Sequence, residues 1–319
     1  MNNFYCIIIS LFFMFSTLVL ASDPSKIIGP DECTECHDVE NSIWEKTHHF
    51  ETFENMPEQD EALSIAEKLT IEDVIESDIC QNCHLTLQTD DGETDVIAGV
   101  SCESCHGAGK EWYEVHSEED KTAEQEKTLW AKSEAAGMIR PGNIVKLAGN
   151  CLDCHLVKNE KLVNIGGHEA GSDFNLVSWS QGEIRHNTFH SKDGENRKAS
   201  ATKLRKMLVI GAVLELQKAI EAYSEAKDKN GKYAVAMLAR ANKSKALIEK
   251  ITETNTSTEL KSLKTTVAQL DTSKLEAVSE LSKKLLMVAK QVQNAPSQDW
   301  GDLDKIISGL GETKGKAQE

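Results

Sequence analysis

Aromatic residues make up only 5% of the 319-residue chain. That is too little Phe, Tyr and Trp to fill an ordinary core of this size, where such side chains supply much of the buried area. Positive charge is also short: 35 Lys and Arg face 52 Asp and Glu, for a formal charge of −17. The deficit excludes a binder of bare phosphate backbones, whose affinity comes from basic side chains displacing counterions. After Leu20 no apolar run approaches the roughly 20 residues that span hydrocarbon. Histidine is missing altogether after His190, so any chemistry that needs imidazole ends there.

What is present begins with a leader. Phe4 to Leu20 carries no charge and is interrupted only by Ser10, Ser16 and Thr17. Val19-Leu20-Ala21 then forms a small-residue cleavage pattern ahead of the polar Ser22-Asp23-Pro24. The segment reads as a secretory signal over 1–21, cut after Ala21, although Met1-Asn2-Asn3 lacks the usual Lys or Arg. A retained anchor is the alternative, since 17 residues is the short limit for a span. The mature chain is expected in the periplasm with no membrane span.

Cys6 lies in the leader, and each of the other eight cysteines falls in one repeated motif. The four copies are Cys33-Thr-Glu-Cys36-His37, Cys80-Gln-Asn-Cys83-His84, Cys102-Glu-Ser-Cys105-His106 and Cys151-Leu-Asp-Cys154-His155. Cys-x-x-Cys-His is the c-type haem attachment motif. Two thiols three residues apart share one side of a helical turn and can add to the two vinyl groups on one porphyrin edge. The following imidazole then lies under the ring and donates to iron. Disulfides, a redox dithiol or a Cys₄ zinc site would use the same thiols. None explains a histidine after the second cysteine in all four copies, when only 10 residues of 319 are histidine. Four covalently bound haem c groups are expected, and with roughly 45 residues per haem they must supply much of the apolar core themselves and lie close together.

Six further histidines, His48, His49, His116, His168, His186 and His190, lie between the first motif and residue 190. Their confinement to the haem-bearing segment favours distal ligation for most of them.

At this point the sequence resembles the tetrahaem cytochrome c554 family, related in haem arrangement to the multihaem group that contains hydroxylamine oxidoreductase and pentahaem nitrite reductase. Residues 30 to 190 carry the likeness. Its carriers are Cys33 to His37 with Trp44-Glu-Lys-Thr-His-His49 downstream, Val100-Ser-Cys-Glu-Ser-Cys-His-Gly107 with His116 ten residues after His106, and Gly167-His168 through Phe174 to Ile184-Arg-His186. The resemblance implies His49 as distal ligand of the fourth haem and His116 of the first. His186 is implied for the third haem, with His190 one helical turn on as competitor. Neighbours His48 and His49 would point about 100° apart on a helix, so one of the two reaches that iron. In the cytochrome that names the family the second haem is five-coordinate; here His168 could close it.

Coordination decides function. Bis-His iron has no open position and passes electrons only, whereas five-coordinate iron can bind a small ligand. Six spare histidines for four irons favour an exported electron carrier that links a donor and an acceptor redox protein, its acidic face calling for a basic docking partner. The alternative is a multihaem oxidoreductase acting on a small nitrogen or sulfur species at a five-coordinate second haem. No cluster of Lys, Arg or Tyr surrounds Cys80, and its motif ends in His, not the Lys of related nitrite reductases.

The fold expected is mainly α. A tetrahaem cytochrome segment at 22–195 has short helices and loops, among them a helix at Glu58–Leu69, a surface helix over Glu111–Trp130, and a hairpin at Leu85–Val100 turning on Asp90-Asp91-Gly92. A C-terminal antiparallel helical bundle fills 196–319, its helices falling within 199–310. Composition shifts there to Ala, Lys, Leu and Glu. The first 200 residues hold 15 basic and 37 acidic side chains, a net −22, and the rest hold 20 and 15, a net +5. Met207–Leu214 is apolar all round and reads as a central helix. Met237, Ala241, Ile248 and Ile251 form one stripe; Leu260, Leu263, Val267 and Leu270 another; Val278, Leu281, Leu285, Val288 and Val292 a third. Asn230-Gly231 is a helix break, and Ser273 with Glu276 a capping box. The bundle either caps the haem segment or forms a homo-oligomer surface.

Overall fold

The computed structural model describes residues 23–315 apart from 118–121, 172, 190, 192, 256, 269, 271–277 and 297. The expected leader with its cleavage point, the Ser273–Glu276 capping box and His190 lie outside the described residues. The chain is mainly helical, with one two-stranded sheet among the described residues.

The first part is a succession of short helices: α1 (Pro30–Thr34), α2 (Asp38–Trp44), α3 (His48–Asn55), α4 (Asp60–Leu69) and α5 (Asp78–His84). Strands β1 (Thr86–Asp90) and β2 (Glu93–Ala98) follow, then α6 (Cys102–His106), α7 (Tyr113–His116), α8 (Ala123–Ala135), α9 (Ile144–His155) and α10 (Leu176–Gly182). Local signals set these limits. Pro30 opens α1 with its φ already helical, and the Thr47 hydroxyl accepts from Phe50 N–H to cap α3. The β1–β2 turn sets Asp91 at φ 47° and Gly92 at φ 87°, the paired left-handed residues of a two-residue hairpin.

Two expected helices start later than their composition suggests. Gln59 is extended, so the Met56–Glu58 turn stands apart from α4. The stretch 111–130 holds α7 and the start of α8, because Thr122 and Gln125 form a capping box that opens a new helix.

The second part is built on α11 (Ala201–Glu225), followed by α12 (Lys232–Thr254), α13 (Thr258–Ala268), α14 (Val278–Asn294) and α15 (Asp304–Ser308). Helix α11 is central. It packs against α9, α10, α12, α14 and α15, and Met207–Ile210 with Ala212–Leu214 are all buried. Gly211 lets α10 approach: an added Cβ would lie 3.1 Å from Leu176 Cβ. The expected break at Asn230-Gly231 ends where α12 begins, and its stripe Met237, Ala241, Ile248 and Ile251 is fully buried. One apolar cluster runs from Ile144, Ala148, Leu152 and Leu176 through the bundle to Trp300 and Ile306. Helix α9 therefore places its apolar face in the bundle core while ending in the fourth Cys-x-x-Cys-His motif.

Truncating Leu216, fully buried in α11, leaves a cavity in that core. Leu216→Ala should cost about 2–5 kcal/mol, seen as a lower midpoint in thermal melts followed by far-UV circular dichroism.

Candidate haem sites

Each motif histidine stands at a helix boundary, and each faces a second histidine brought from elsewhere in the chain. His37, which caps α2, faces His116 at the end of α7 with ring centres 6.4 Å apart. His84, closing α5, faces His168 at 6.3 Å. His106, closing α6, faces His186 at 6.1 Å. His155, closing α9, faces His49 in the first turn of α3 at 6.1 Å. Two metal–imidazole bonds of about 2 Å, with about 1.1 Å from each nitrogen to its ring centre, need roughly 6.3 Å between centres. All four pairs leave the span of one iron ligated on both faces. His48, the other neighbour at this position, gives its ring Nδ1–H and its backbone N–H to the Glu183 carboxylate, at 2.9 and 2.5 Å.

In four of these eight histidines a backbone carbonyl holds the second ring nitrogen as well. Nδ1 of His106 lies 2.9 Å from the Ile139 carbonyl, Nδ1 of His116 2.5 Å from that of Tyr113, Nδ1 of His168 2.8 Å from that of Glu169 and Nδ1 of His186 2.6 Å from that of Ile184. A carbonyl oxygen only accepts, so Nδ1 carries the proton and the Nε2 lone pair is left for iron. Burial pushes His84, His106 and His155 down to about 4 and lowers His49 and His186. These imidazoles are neutral near pH 7, the form that binds a metal.

The thiols sit where a porphyrin would need them. All eight described cysteines are free, and among the described residues no three His, Cys, Asp or Glu side chains converge on a metal-ion site. One cavity is lined by Cys33, His37, Cys102, Cys105, His106 and His186, and it joins the first and third sites. Cys33 and Cys102 share a hydrogen bond that raises the first thiol and lowers the second. Cys83 and Cys154 share another, so the second and fourth sites abut. Burial, then the nearby Cys105, pushes Cys151 up, and Asn150 Nδ2 donates to the Ser104 and Cys105 carbonyls at 3.3 and 3.2 Å. These contacts join the third site to the fourth.

Two positioning features escaped the sequence reading. Glu103, inside the third motif, is 1% exposed. Its carboxylate accepts from the backbone N–H of Ile28 (3.1 Å), Gly29 (2.8 Å) and Gly109 (2.6 Å), which fixes the approach to α1 and so Cys33. The only sequence signal was an acidic residue within Val100-Ser-Cys-Glu-Ser-Cys-His-Gly107; its partners Ile28 and Gly29 lie 75 and 74 residues away. Gly99, after β2, is the second. An added Cβ there would overlap the His49 carbonyl and the Thr52 hydroxyl, and Val100 N–H donates to that same carbonyl at 3.0 Å.

Glu103→Ala should strip three buried backbone donors of a charged acceptor and cost about 3 kcal/mol or more, lowering the thermal midpoint and the haem-to-protein absorbance ratio of purified protein. Gly99→Ala should push α3 away from β2. The measurable result is a high-spin component in the electron paramagnetic resonance (EPR) spectrum as His49 loses its place.

A family model described as cytochrome c554 and c-prime matches residues 32–107, a stretch that contains the first three motifs. A curated relative, cytochrome c-554 of Nitrosomonas europaea, is 25% identical over 155 residues, which cover 46% of this chain and 64% of the relative. The chain thus spans less than two thirds of the length of that relative. No solved structure matches the chain. Through residues 32–107, which bear three of these Cys-x-x-Cys-His motifs, the chain is similar to the cytochrome c554 family of c-type cytochromes.

Proposed function

We propose that the chain is an exported tetrahaem cytochrome that carries electrons between two redox proteins, with a leader at 1–21, a haem segment at 22–195 and a helical bundle at 196–319. The observation that carries this reading is the matched spacing of the four histidine pairs, each close to the span of one six-coordinate iron. Bound haem supplies a reversible one-electron change at each site. The residues do the rest. Cys33 and Cys36, Cys80 and Cys83, Cys102 and Cys105, and Cys151 and Cys154 anchor the four groups. His37, His84, His106 and His155 hold one face of each iron, and His116, His168, His186 and His49 close the other. Closing both faces denies iron an open position for substrate, which separates a carrier from an enzyme.

The thiol contacts give the sites a spatial order of first, third, fourth, second. An electron placed at either end has an unbroken series of neighbours to the other. Among the described residues no helix is long and apolar enough to cross a membrane.

EPR of the oxidised holoprotein tests the reading. Only low-spin signals are expected, with a mass corresponding to four haems. His168→Ala should convert about one haem in four to a high-spin form that shifts on addition of nitric oxide. A high-spin, nitric oxide-sensitive signal already present in the unaltered protein would instead identify an open second site and an oxidoreductase.

A further inference from the structure

The first site lies at one end of the series and at the molecular surface. Cys36, the second thiol of its motif, is exposed. Phe189 lies on the His37 ring with centres 4.7 Å apart and remains 58% exposed, and Val39 nearby in sequence is 47% exposed. Phe189 does not rest there loosely. The Glu40 carboxylate accepts from Phe189 N–H at 2.7 Å and from the Thr188 hydroxyl, and it faces His37 Nδ1 at 3.6 Å. An apolar side chain in water, fixed against a ligand imidazole by a half-buried carboxylate, is what an interface core looks like before its partner arrives.

The rim has one sign. From Pro30 to Glu45 there are six acidic residues, Asp31, Glu32, Glu35, Asp38, Glu40 and Glu45, and no Lys or Arg. Glu35 and Glu32 both act on Tyr113, whose ring packs against His116, so they lie beside the first site. The nearby lysine Lys26 is paired with Glu111 at 3.7 Å. At the opposite end of the series the Lys68 ammonium lies 3.3 Å from where a side chain on Gly167 would begin, next to His168.

We propose that Phe189 and Val39, ringed by Asp31, Glu32, Glu35 and Asp38, form the docking surface for a basic redox protein, and that electrons cross there through the first site. This rests on the carrier reading above. The acidic rim speeds encounter and orients the partner; the apolar centre excludes water between the two redox groups.

The test uses reduced full-length holoprotein mixed in a stopped-flow instrument with a ferric, basic monohaem cytochrome c at low ionic strength. Glu35→Lys with Asp38→Lys should slow electron transfer about tenfold, and the variant and parent rates should converge at about 0.5 M salt, where surface charge is screened. Phe189→Ser should slow transfer at low and high salt alike. Glu67→Lys with Glu72→Lys, exposed residues of α4 and the turn after it, should leave the rate unchanged. The surface is wrong if the first pair keeps the parent rate, or if the second pair slows transfer as much. Ferricyanide separates the two claims. Oxidation by ferricyanide without any transfer to the basic cytochrome overturns the docking surface alone, while failure with both oxidants overturns the carrier reading too.

Discussion

An imidazole offers iron one nitrogen, and that nitrogen points correctly only if the rest of the ring is held. In this chain four of the paired histidines give Nδ1–H to a backbone carbonyl, and the carbonyl lies within three residues of the ring except at His106. The requirement is local, so it can be met by a helix of one or two turns. That is why the haem segment dispenses with long helices. Each element has only to place a histidine at its boundary and expose one carbonyl.

The bundle meets the opposite need. Its long helices bury complete apolar faces, and α9 joins that core through Ile144, Ala148 and Leu152 while its last turn bears Cys151, Cys154 and His155. Charge reinforces the joint. Burial alone would raise Asp153, but hydrogen bonds from Lys158 and from Lys218 of α11 lower it, at 2.7 and 2.5 Å. Arg240 of α12 meets Glu215 of α11 at 2.8 Å, both side chains largely buried. A buried pair of this kind adds little net stability against its desolvation cost, but breaking it would strand a charge, so it fixes how α11 and α12 sit. The fixed pair acts on His155 through Arg240. The bundle thus sets the electrostatic surroundings of the fourth site as well as supporting it.

Much of this was legible in the sequence because its physical cause is local. Cysteine spacing, the Asp91-Gly92 hairpin turn, the apolar run at Met207–Leu214 and the stripe at Met237–Ile251 all report on residues within a turn or two of one another. The distal histidines were harder. Helix geometry allowed only one of His48 and His49 to reach that iron, and the choice of His49 rested on the resemblance. The distinction comes from Glu183, 135 residues away, which occupies His48 while His49 turns towards His155. Glu103 and Gly99 were illegible for the same reason: their work is done on Ile28, Gly29, His49 and Thr52, and no periodicity links positions so far apart. The helix expected across 111–130 failed differently, since the Thr122–Gln125 box is a local signal that composition masked.

The order of the motifs along the chain is not their order in space, and the hairpin explains much of the difference. Between the second and third motifs β1 runs out and β2 returns. The Thr86 hydroxyl donates to the Gly99 carbonyl at 2.6 Å and lies 3.0 Å from the Ser101 hydroxyl, so α5 and α6 leave the same end of the ribbon. From there Cys102 meets Cys33 of the first motif and Cys83 meets Cys154 of the fourth. Helix α9 completes the series by touching α6. A chain that added sites in sequence order would bury its first site early and expose its last. This arrangement puts the third and fourth sites inside, against the bundle, and leaves the first and second at opposite ends. The carrier function proposed above would need two ends that partners can reach, and folding the middle of the chain back on itself would provide them.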